Sequence, residues 1–332
     1  MGFATALPRF SATEPKPRQS SATPLRAAAG YLHALQALAT RHSVKQYIKR
    51  FLPKSMRDDG VVIPVVRLHG GIMSGGGQFR PSLSLASTAG VIEKAFAFKS
   101  APAVALSINS PGGSPVQARL IYKRIRDLAR EKDKKVIAFV EDVAASGGYM
   151  IAVAGDEIVA DPSSIVGSIG VVSASFGFQE LIRKIGVERR LYTAGRNKAT
   201  LDPFSPERPE DVEHLKALQL EVHKTFIDLV KERRSGKLAE DETLFTGLFW
   251  SGIRGLDLGL VDHLGDMRGF LKERYGEKTT LRLVSPPRGL FGRRLGLFGS
   301  DAAPAGAGIG AGAAEGIIDA VSERALWSRY GL

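Results

Sequence analysis

The 332-residue sequence contains no cysteine. This absence excludes a disulfide framework, a thiolate metal site and a cysteine nucleophile. No apolar run approaches the roughly 20 residues that a helix needs to span a bilayer. The first residues also lack the charged start and apolar stretch of a secretory signal peptide. Neither a His-x-x-x-His nor a Cys-x-x-Cys spacing occurs, so we expect no metal and no other cofactor.

Positive charge is in excess, +12 overall, and residues 1–60 contribute a net +7 of it, ten Lys and Arg against three acidic residues. Between residues 24 and 52 apolar side chains recur at helical spacing, which predicts a basic amphipathic helix. Such a helix binds an anionic membrane surface or, as an equal alternative, packs in an oligomer or on the core. We expect a peripheral membrane location on the cytoplasmic side. Because the charge sits on an arm and not on a folded face, we expect no nucleic-acid partner.

Three regions are expected: a basic arm with its helix (1–60), a folded domain (61–285), and a Gly/Ala-rich linker with a C-terminal helix (286–332). In the folded domain strands and helices alternate with short turns, which is typical of an α/β fold with parallel strands. Strands are expected at Val61–Leu68, Ala103–Ile108, Lys135–Val140, Glu157–Ala160, Ile165–Ser173 and Glu188–Tyr192. Helices are expected at Ala86–Phe98, Pro115–Glu131, Glu180–Lys184, Glu207–Arg234 and Gly316–Tyr330, with a short one after Ser146.

Ser146 is the first candidate for chemistry. It follows a predicted strand and begins a helix within the small-residue run Ala144-Ala-Ser-Gly-Gly-Tyr149. A sharp turn there exposes the hydroxyl, and unpaired N–H groups at the helix start can face a developing oxyanion. The competing interpretation is that Ser146 only caps the helix, and the local sequence alone favours that interpretation.

A second glycine-rich turn, Asn109–Gly113, follows the predicted strand that ends at Ile108. Its two glycines permit a backbone geometry and a close approach that other residues do not. We expect the N–H of Gly113 to pair with that of Gly147 as a two-donor oxyanion hole. The alternative is a plain strand-to-helix turn.

A serine hydroxyl needs a general base to become a good nucleophile. Of the six histidines, only His69, at a strand end beside two glycines, is a serious candidate. His214 and His223 fall among charged residues of the long predicted helix, where we expect solvent. Lys198 is better placed, in a loop whose apolar residues and prolines could bury one amine. A lysine acts as a base only when desolvation removes its charge, and spacing alone does not decide whether Lys198 is buried.

Four motifs in this order resemble those of the signal peptide peptidase A (SppA/SohB-type) serine peptidases, relatives of the ClpP and crotonase-like folds. They are Ser107-Ile-Asn-Ser-Pro-Gly-Gly-Ser114, Ala144-Ala-Ser-Gly-Gly-Tyr149, Pro162-Ser-Ser-Ile-Val-Gly-Ser-Ile-Gly170 and Gly195-x-x-Lys198-x-x-x-Asp202-Pro-Phe204. The resemblance runs from Val61 to Val284. Family members commonly carry an N-terminal transmembrane helix, and this chain has the amphipathic segment in its place.

The resemblance implies a ClpP/crotonase-like right-handed superhelix of stacked β-β-α units and a Ser/Lys dyad. Ser146 would be the nucleophile, Lys198 the base, Gly113 and Gly147 the oxyanion donors, and Ser168 the residue that orients the lysine. The implied substrates are apolar, unstructured peptides such as cleaved signal peptides. The implied assembly is a homo-oligomeric ring, in which dyad residues can meet across protomers.

Two other functions are compatible with the same fold. A crotonase-like acyl-CoA enzyme would use a carboxylate as acid and base and would not need Ser146. An inactive membrane-surface scaffold would need neither Ser146 nor Lys198, and the presence of both argues against it. Labelling of Ser146 by a fluorophosphonate would count against the acyl-CoA enzyme.

Overall fold

The computed structural model describes residues 60–74, 82–285 and 324–332. The basic arm, the amphipathic helix predicted at 24–52, the Gly/Ala-rich linker and the first part of the helix predicted at Gly316–Tyr330 lie outside the described residues. Those predictions, and the three-region division that depends on them, stay predictions.

The strands of the described residues form one sheet in which all pairs but one are parallel. The main order is β6-β5-β3-β2-β1-β8, and β4 pairs with β3 and β7. Only β5 with β6 is antiparallel. The strands are β1 (Val62–His69), β2 (Ala103–Ser110), β3 (Lys135–Ala145), β4 (Glu157–Ala160), β5 (Ile165–Gly167), β6 (Phe249–Ser251), β7 (His263–Leu264) and β8 (Thr280–Leu283). This confirms the α/β class, and the right-handed superhelical stacking stays a prediction.

Helices connect the strands and cover the sheet. They are α1 (Leu85–Phe96), α2 (Pro115–Glu131), α3 (Gly147–Ala152), α4 (Gln179–Lys184), α5 (Pro209–Arg233), α6 (Gly252–Asp257) and α7 (Met267–Tyr275), with a 3₁₀ turn at Glu242–Phe245 and a helical turn at 324–328. The buried side of α2 repeats at helical spacing, with Ala118, Ile121, Ile125 and Leu128 facing the sheet. These residues of α2 belong to one apolar cluster. A separate apolar cluster includes Phe139 of β3 and Leu271 of α7. Both clusters contain strand residues, so the sheet is largely apolar, as parallel sheets between helices are.

Three of the strand predictions differ from the structure by more than two residues. Residues 188–192 form no strand: they are irregular and exposed, and no strand of the described residues pairs with them. The apolar run from Ile165 is a strand only as far as Gly167, because the backbone turns at Ser168 with a positive φ of 53°. The strand predicted to end at Val140 continues to Ala145, where it pairs with β5.

The carboxyl ends of β1, β2, β3 and β5 meet at one edge of the sheet. Ser110 at the end of β2 pairs with Ala144 of β3, and Ala145 pairs with Gly167 at the end of β5. The turns that follow these strands are therefore neighbours. In α/β folds this edge is where ligands bind.

Candidate active site

Ser146 occupies the turn between β3 and α3 in a strained backbone conformation. Its φ of 52° and ψ of −122° lie in a region that residues other than glycine rarely adopt. Helix α3 begins at the next residue, yet the Ser146 side chain makes no capping hydrogen bond. Among the described residues its hydroxyl has no hydrogen-bond partner. The structure contradicts the capping interpretation, and the turn leaves the hydroxyl available for reaction.

Two glycines of the second turn pack directly against this region. A Cβ atom on Gly112 would lie 2.7 Å from the Cβ of Ser146, and one on Gly113 would lie 2.1 Å from the carbonyl oxygen of Ile72. Both glycines also have a positive φ, 102° and 134°. No side chain fits at either position, because the added Cβ would overlap Ser146 at Gly112 and the Ile72 backbone at Gly113.

The backbone N–H groups of Gly113 and Gly147 lie close to one another. A Cβ atom on Gly147 would stand 3.5 Å from the nitrogen of Gly113. Neither N–H donates a hydrogen bond to any residue that the structure describes. Unpaired N–H groups are rare in folded proteins, and both glycines line the same pocket as Ser146. Together they can donate to an oxyanion that forms at the serine.

Ser168 follows β5 in the same way that Ser146 follows β3. The N–H of Ser146 donates to the carbonyl of Gly167 at 2.9 Å, so the two turns are adjacent. Ser168 is 4% exposed and, like Ser146, has a positive φ. Its hydroxyl lies 3.2 Å from the phenolic oxygen of Tyr330. The structure thus brings Ser168 beside Ser146, where its side-chain partner is Tyr330.

Lys198 lies in the loop between α4 and α5, and its side chain is exposed. The loop itself is held in place: the N–H of Phe178 donates to the carbonyl of Pro203 at 2.6 Å. The Lys198 side chain forms no hydrogen bond or ion pair with a described residue and is not among those that line the Ser146 pocket. In a single chain Lys198 is therefore not in contact with Ser146, and its side chain is not buried. The Ser146/Lys198 dyad stays a prediction.

A pocket of about 220 Å³ opens at Ser146. Its apolar side chains are Pro111, Pro115, Met150, Val171, Val172, Val222, Phe226 and Leu326, and Arg329 is the charged residue among the described residues that line it. Val222 and Phe226 lie four residues apart on one face of α5, a spacing visible in the sequence. Leu326 and Arg329 come from the C-terminal turn, which no sequence signal connects to the site.

His69 belongs to a different polar cluster, and it does not line the Ser146 pocket. Arg67 Nε donates to His69 Nδ1 at 3.0 Å, so Nε2 carries the ring hydrogen and donates to Ser107 Oγ at 2.8 Å. Ser107 in turn donates to Glu141 at 2.5 Å. Burial lowers the pKa of His69, while Glu141 partly opposes that shift. His69 is therefore committed to other partners and is not the base for Ser146.

His223 is not solvated as expected. It is half-buried, and its Nε2 donates to the carbonyl of Ile169 at 3.0 Å. The reason is that α5 packs over the segment that follows Ser168. His223 thus links α5 to the segment after Ser168, and both contribute residues to the pocket. The charged neighbours of His223 in the sequence did not indicate this contact.

A largely parallel α/β sheet that presents a strained serine with an unpaired hydroxyl beside two unpaired N–H donors is typical of a serine hydrolase. Comparison with known proteins narrows the class. The model of peptidase family S49 matches residues 128–278, a range that contains Ser146, Ser168 and Lys198. A protein of Synechocystis named as a protease is 31% identical over 204 residues, which are 60% of this chain and 73% of that protein. The chain belongs to peptidase family S49, whose members include serine peptidases of the SppA/SohB type.

Two further relatives show how much of each protein the similarity covers. A protein of Buchnera aphidicola named as the protease SohB is 34% identical over 180 residues, 54% of this chain and 53% of that protein. The Na(+)/H(+) antiporter NhaA of Brucella abortus is 63% identical over 306 residues, 91% of this chain but 42% of that protein. This chain spans less than half the length of that antiporter, so the antiporter's name is not carried over to it. In the part of the chain that the structure describes, no helix has the length and apolar character needed to cross a membrane.

Proposed function

We propose that this chain is a serine endopeptidase that hydrolyses peptide bonds with a Ser146/Lys198 dyad. The observation that carries the proposal is the unbonded Ser146 hydroxyl beside the unpaired N–H groups of Gly113 and Gly147. A nucleophile next to two preorganised donors is what acyl transfer requires. Membership of family S49 supports a peptide as the acyl donor.

The reaction proceeds through an acyl-enzyme. The neutral amine of Lys198 takes the proton of the Ser146 hydroxyl as Oγ bonds to the substrate carbonyl carbon. The carbonyl oxygen becomes an oxyanion, which accepts hydrogen bonds from Gly113 and Gly147. When the C–N bond breaks, Lys198 gives its proton to the leaving amine and an ester on Ser146 remains. Water then attacks the ester, passes a proton through Lys198 to Ser146, and the acid product leaves.

Lys198 is proposed to reach the Ser146 of a neighbouring protomer in a homo-oligomeric ring. The exposure of Lys198 supports this arrangement, since its side chain is open to contact by a neighbouring protomer. Large apolar side chains near the same loop are also exposed: Val172, Phe176, Leu181, Ile185, Val187, Leu191 and Tyr192. We interpret these side chains as an interface surface, since large exposed apolar areas mark interaction sites. Its burial against a partner would exclude water from the lysine, which is the condition for base catalysis.

Apolar, unstructured peptides such as cleaved signal peptides are the proposed substrates. The apolar lining of the Ser146 pocket supports an apolar substrate side chain at that position. Residues 24–52 are proposed to hold the enzyme at an anionic membrane surface, where such peptides accumulate. Co-sedimentation with anionic liposomes, with and without residues 1–55, tests the attachment separately from the chemistry.

Fluorophosphonate labelling tests the mechanism. The wild type should be labelled at Ser146, and the Ser146→Ala variant should be neither labelled nor active. Lys198→Ala should lower the labelling rate by about 10²–10⁴, the usual contribution of a general base. Lys184→Ala is the matched control, because Lys184 is an exposed lysine of α4, and it should react like the wild type. Peptidase activity that survives Ser146→Ala would refute the proposal.

The acyl-CoA alternative is less well supported. No Asp or Glu is among the described residues that line the Ser146 pocket, and that chemistry needs a carboxylate at the reacting carbon. If Ser146 stayed unlabelled while the protein turned over an acyl-CoA thioester, that alternative would replace the peptidase.

A further inference from the structure

The last nine residues of the chain form a structured segment that docks on the folded domain. Residues 324–328 make one helical turn. Leu332 N–H donates to the carbonyl of Trp327 and Gly331 N–H donates to that of Ser328, with Gly331 at a φ of 76°. This pair of bonds around a left-handed glycine is a Schellman motif, which ends a helix in a fixed direction. The end of the chain therefore has a defined shape.

Tyr330 anchors this segment. Its side chain is buried, 7% exposed, and it packs in one cluster with Val143 and Ala145 of β3. Its ring meets that of Phe249 edge-to-face with 5.0 Å between the centroids. Its hydroxyl lies 3.2 Å from Ser168 Oγ. Tyr330 thus contacts β3, which leads into Ser146, the turn at Ser168 beside it, and β6.

The anchored segment contributes two side chains to the Ser146 pocket, Leu326 and Arg329. Leu326 extends the apolar lining. Arg329 differs from every other described lining residue, since it alone is charged, and it forms no ion pair with any residue that the structure describes. An unpaired guanidinium at the edge of an apolar pocket favours a carboxylate, which it can bind with two parallel hydrogen bonds.

We propose that residues 326–330 form a wall of the substrate pocket and that Arg329 on this wall binds a carboxylate of the peptide substrate. Tyr330 is the positioning residue that holds the wall in place. The inference rests on the proposed peptidase function and adds to it a substrate preference. The carboxylate has two sources in a peptide, its C-terminus and an acidic side chain, and the test separates them.

The test uses the full-length chain and two pairs of fluorogenic peptides. The first pair has one sequence and ends in a carboxylate or an amide, and the second pair differs only by Glu against Gln. The wild type should prefer the charged member of one pair. Arg329→Met should raise KM for that member about tenfold, the effect of one charge-assisted contact, and leave KM for its neutral partner unchanged. Arg329→Lys should keep part of the preference.

Arg324→Met is the matched control, because Arg324 belongs to the same turn, is exposed and does not line the pocket. It should keep the wild-type ratio of KM values within each pair. Equal effects of Arg329→Met on the charged and neutral members, or no effect on either, would overturn the assignment of Arg329.

Tyr330→Ala tests the wall itself. It should reduce the preference for the charged peptide as Arg329→Met does, and hydrogen exchange should show faster exchange of the amides of residues 324–332. If Tyr330→Ala lowered the hydrolysis of the charged and the neutral peptide by the same factor, Tyr330 would not position Arg329, and that role would be wrong. If Tyr330→Ala instead raised the hydrolysis of both, the segment would be an inhibitory lid and the proposal would be wrong.

A binding measurement on an inactive variant tests the carboxylate site independently of the proposed peptidase activity. Calorimetry on the Ser146→Ala chain should show tighter binding of the charged peptide than of its neutral partner, and the difference should vanish when Arg329→Met is added. If the wild type hydrolysed no peptide but the binding difference were present, the catalytic proposal would fail and the carboxylate site would stand. If the wild type hydrolysed peptides without this difference, the carboxylate site would fail alone.

Discussion

Gly112 lies so close to Ser146 that a Cβ atom on the glycine would stand 2.7 Å from the Cβ of the serine. The same added atom would be 2.9 Å from the nitrogen of Gly147. The turn after β2 and the turn after β3 are therefore in close contact at Gly112. A methyl group at Gly112 can be admitted only if one of the two turns moves.

We expect Gly112→Ala to disable the site. The φ of 102° is unfavourable for alanine, so the change should cost about 1–3 kcal/mol of folding free energy. Displacement of the Gly147 donor should also slow fluorophosphonate labelling of Ser146 by about 10²–10³. Gly90→Ala is the control: Gly90 lies in α1 with open space around its Cα, so alanine should stabilise the helix by about 0.5–1 kcal/mol. Normal labelling of Gly112→Ala would contradict the geometry described above.

A mixing experiment tests whether the dyad forms between protomers. Ser146→Ala and Lys198→Ala should each be inactive alone. If Lys198 serves the Ser146 of a neighbour, rings assembled from an equal mixture should recover about a quarter of the wild-type sites, since each site needs one intact residue from each of two protomers. The mixture must be unfolded and refolded together so that protomers exchange, and mass spectrometry should verify mixed rings. Mixed rings without activity would show that the dyad forms within one protomer.

Much of the fold could be predicted from local patterns. The helix at Pro115–Glu131 and the strand at Glu157–Ala160 have the predicted bounds, because Pro at the first helical position and a short apolar run are strong local signals. The end of β3 was missed because Glu141 and Asp142 indicate a strand end. Their exposed side chains leave the backbone free to continue to Ala145 and pair with β5.

The remaining errors concern contacts between distant parts of the chain. Residues 188–192 were predicted as a strand, yet a strand forms only where a partner pairs with it, and no described strand does so. Ser146, Gly113 and Gly147 could be named as candidates because each lies within one short motif. Arg329 and Tyr330 were not found, because their place beside Ser146 and Ser168 depends on how the C-terminus docks.

The ion pair between Arg234 and Asp262 should contribute strongly to the free energy of unfolding. Arg234 is 3% exposed and donates to Asp262 and twice to the carbonyl of Gly259. Burial alone would raise the pKa of Asp262, but hydrogen bonds from Arg234 and Lys237 outweigh it and keep that pKa below its usual range. Arg234→Met would leave a buried carboxylate without its main partner, which should cost about 3–5 kcal/mol in urea unfolding.

Lys237→Met provides the comparison for this prediction. Lys237 contacts the same carboxylate at 2.6 Å but is 43% exposed, so its loss should cost only about 0–1 kcal/mol. Similar costs for the two variants would mean that Asp262 is better hydrated than its surroundings indicate.

His69 should make folding stability depend on pH near neutrality. Burial lowers its pKa from the ordinary 6.5, Arg67 adds to the shift, and Glu141 and Asp142 oppose it. The unfolded chain therefore binds a proton at this site more readily than the folded chain, so stability is full above pH 6.5 and falls as pH drops from there through the lowered pKa. A proton on Nδ1 would also face the N–H of Arg67 that now donates to it.

Urea unfolding at a series of pH values between neutral and mildly acid should reveal this contribution. His69→Gln should flatten the fall in unfolding free energy that the wild type shows below pH 6.5. His214→Gln is the control, because His214 is exposed on α5, and it should keep the wild-type profile. If the unfolding free energy of the wild type were as independent of pH as that of His69→Gln, the folded state would protonate His69 as readily as the unfolded chain does. The bond from Arg67 would then not hold Nδ1 unprotonated in solution.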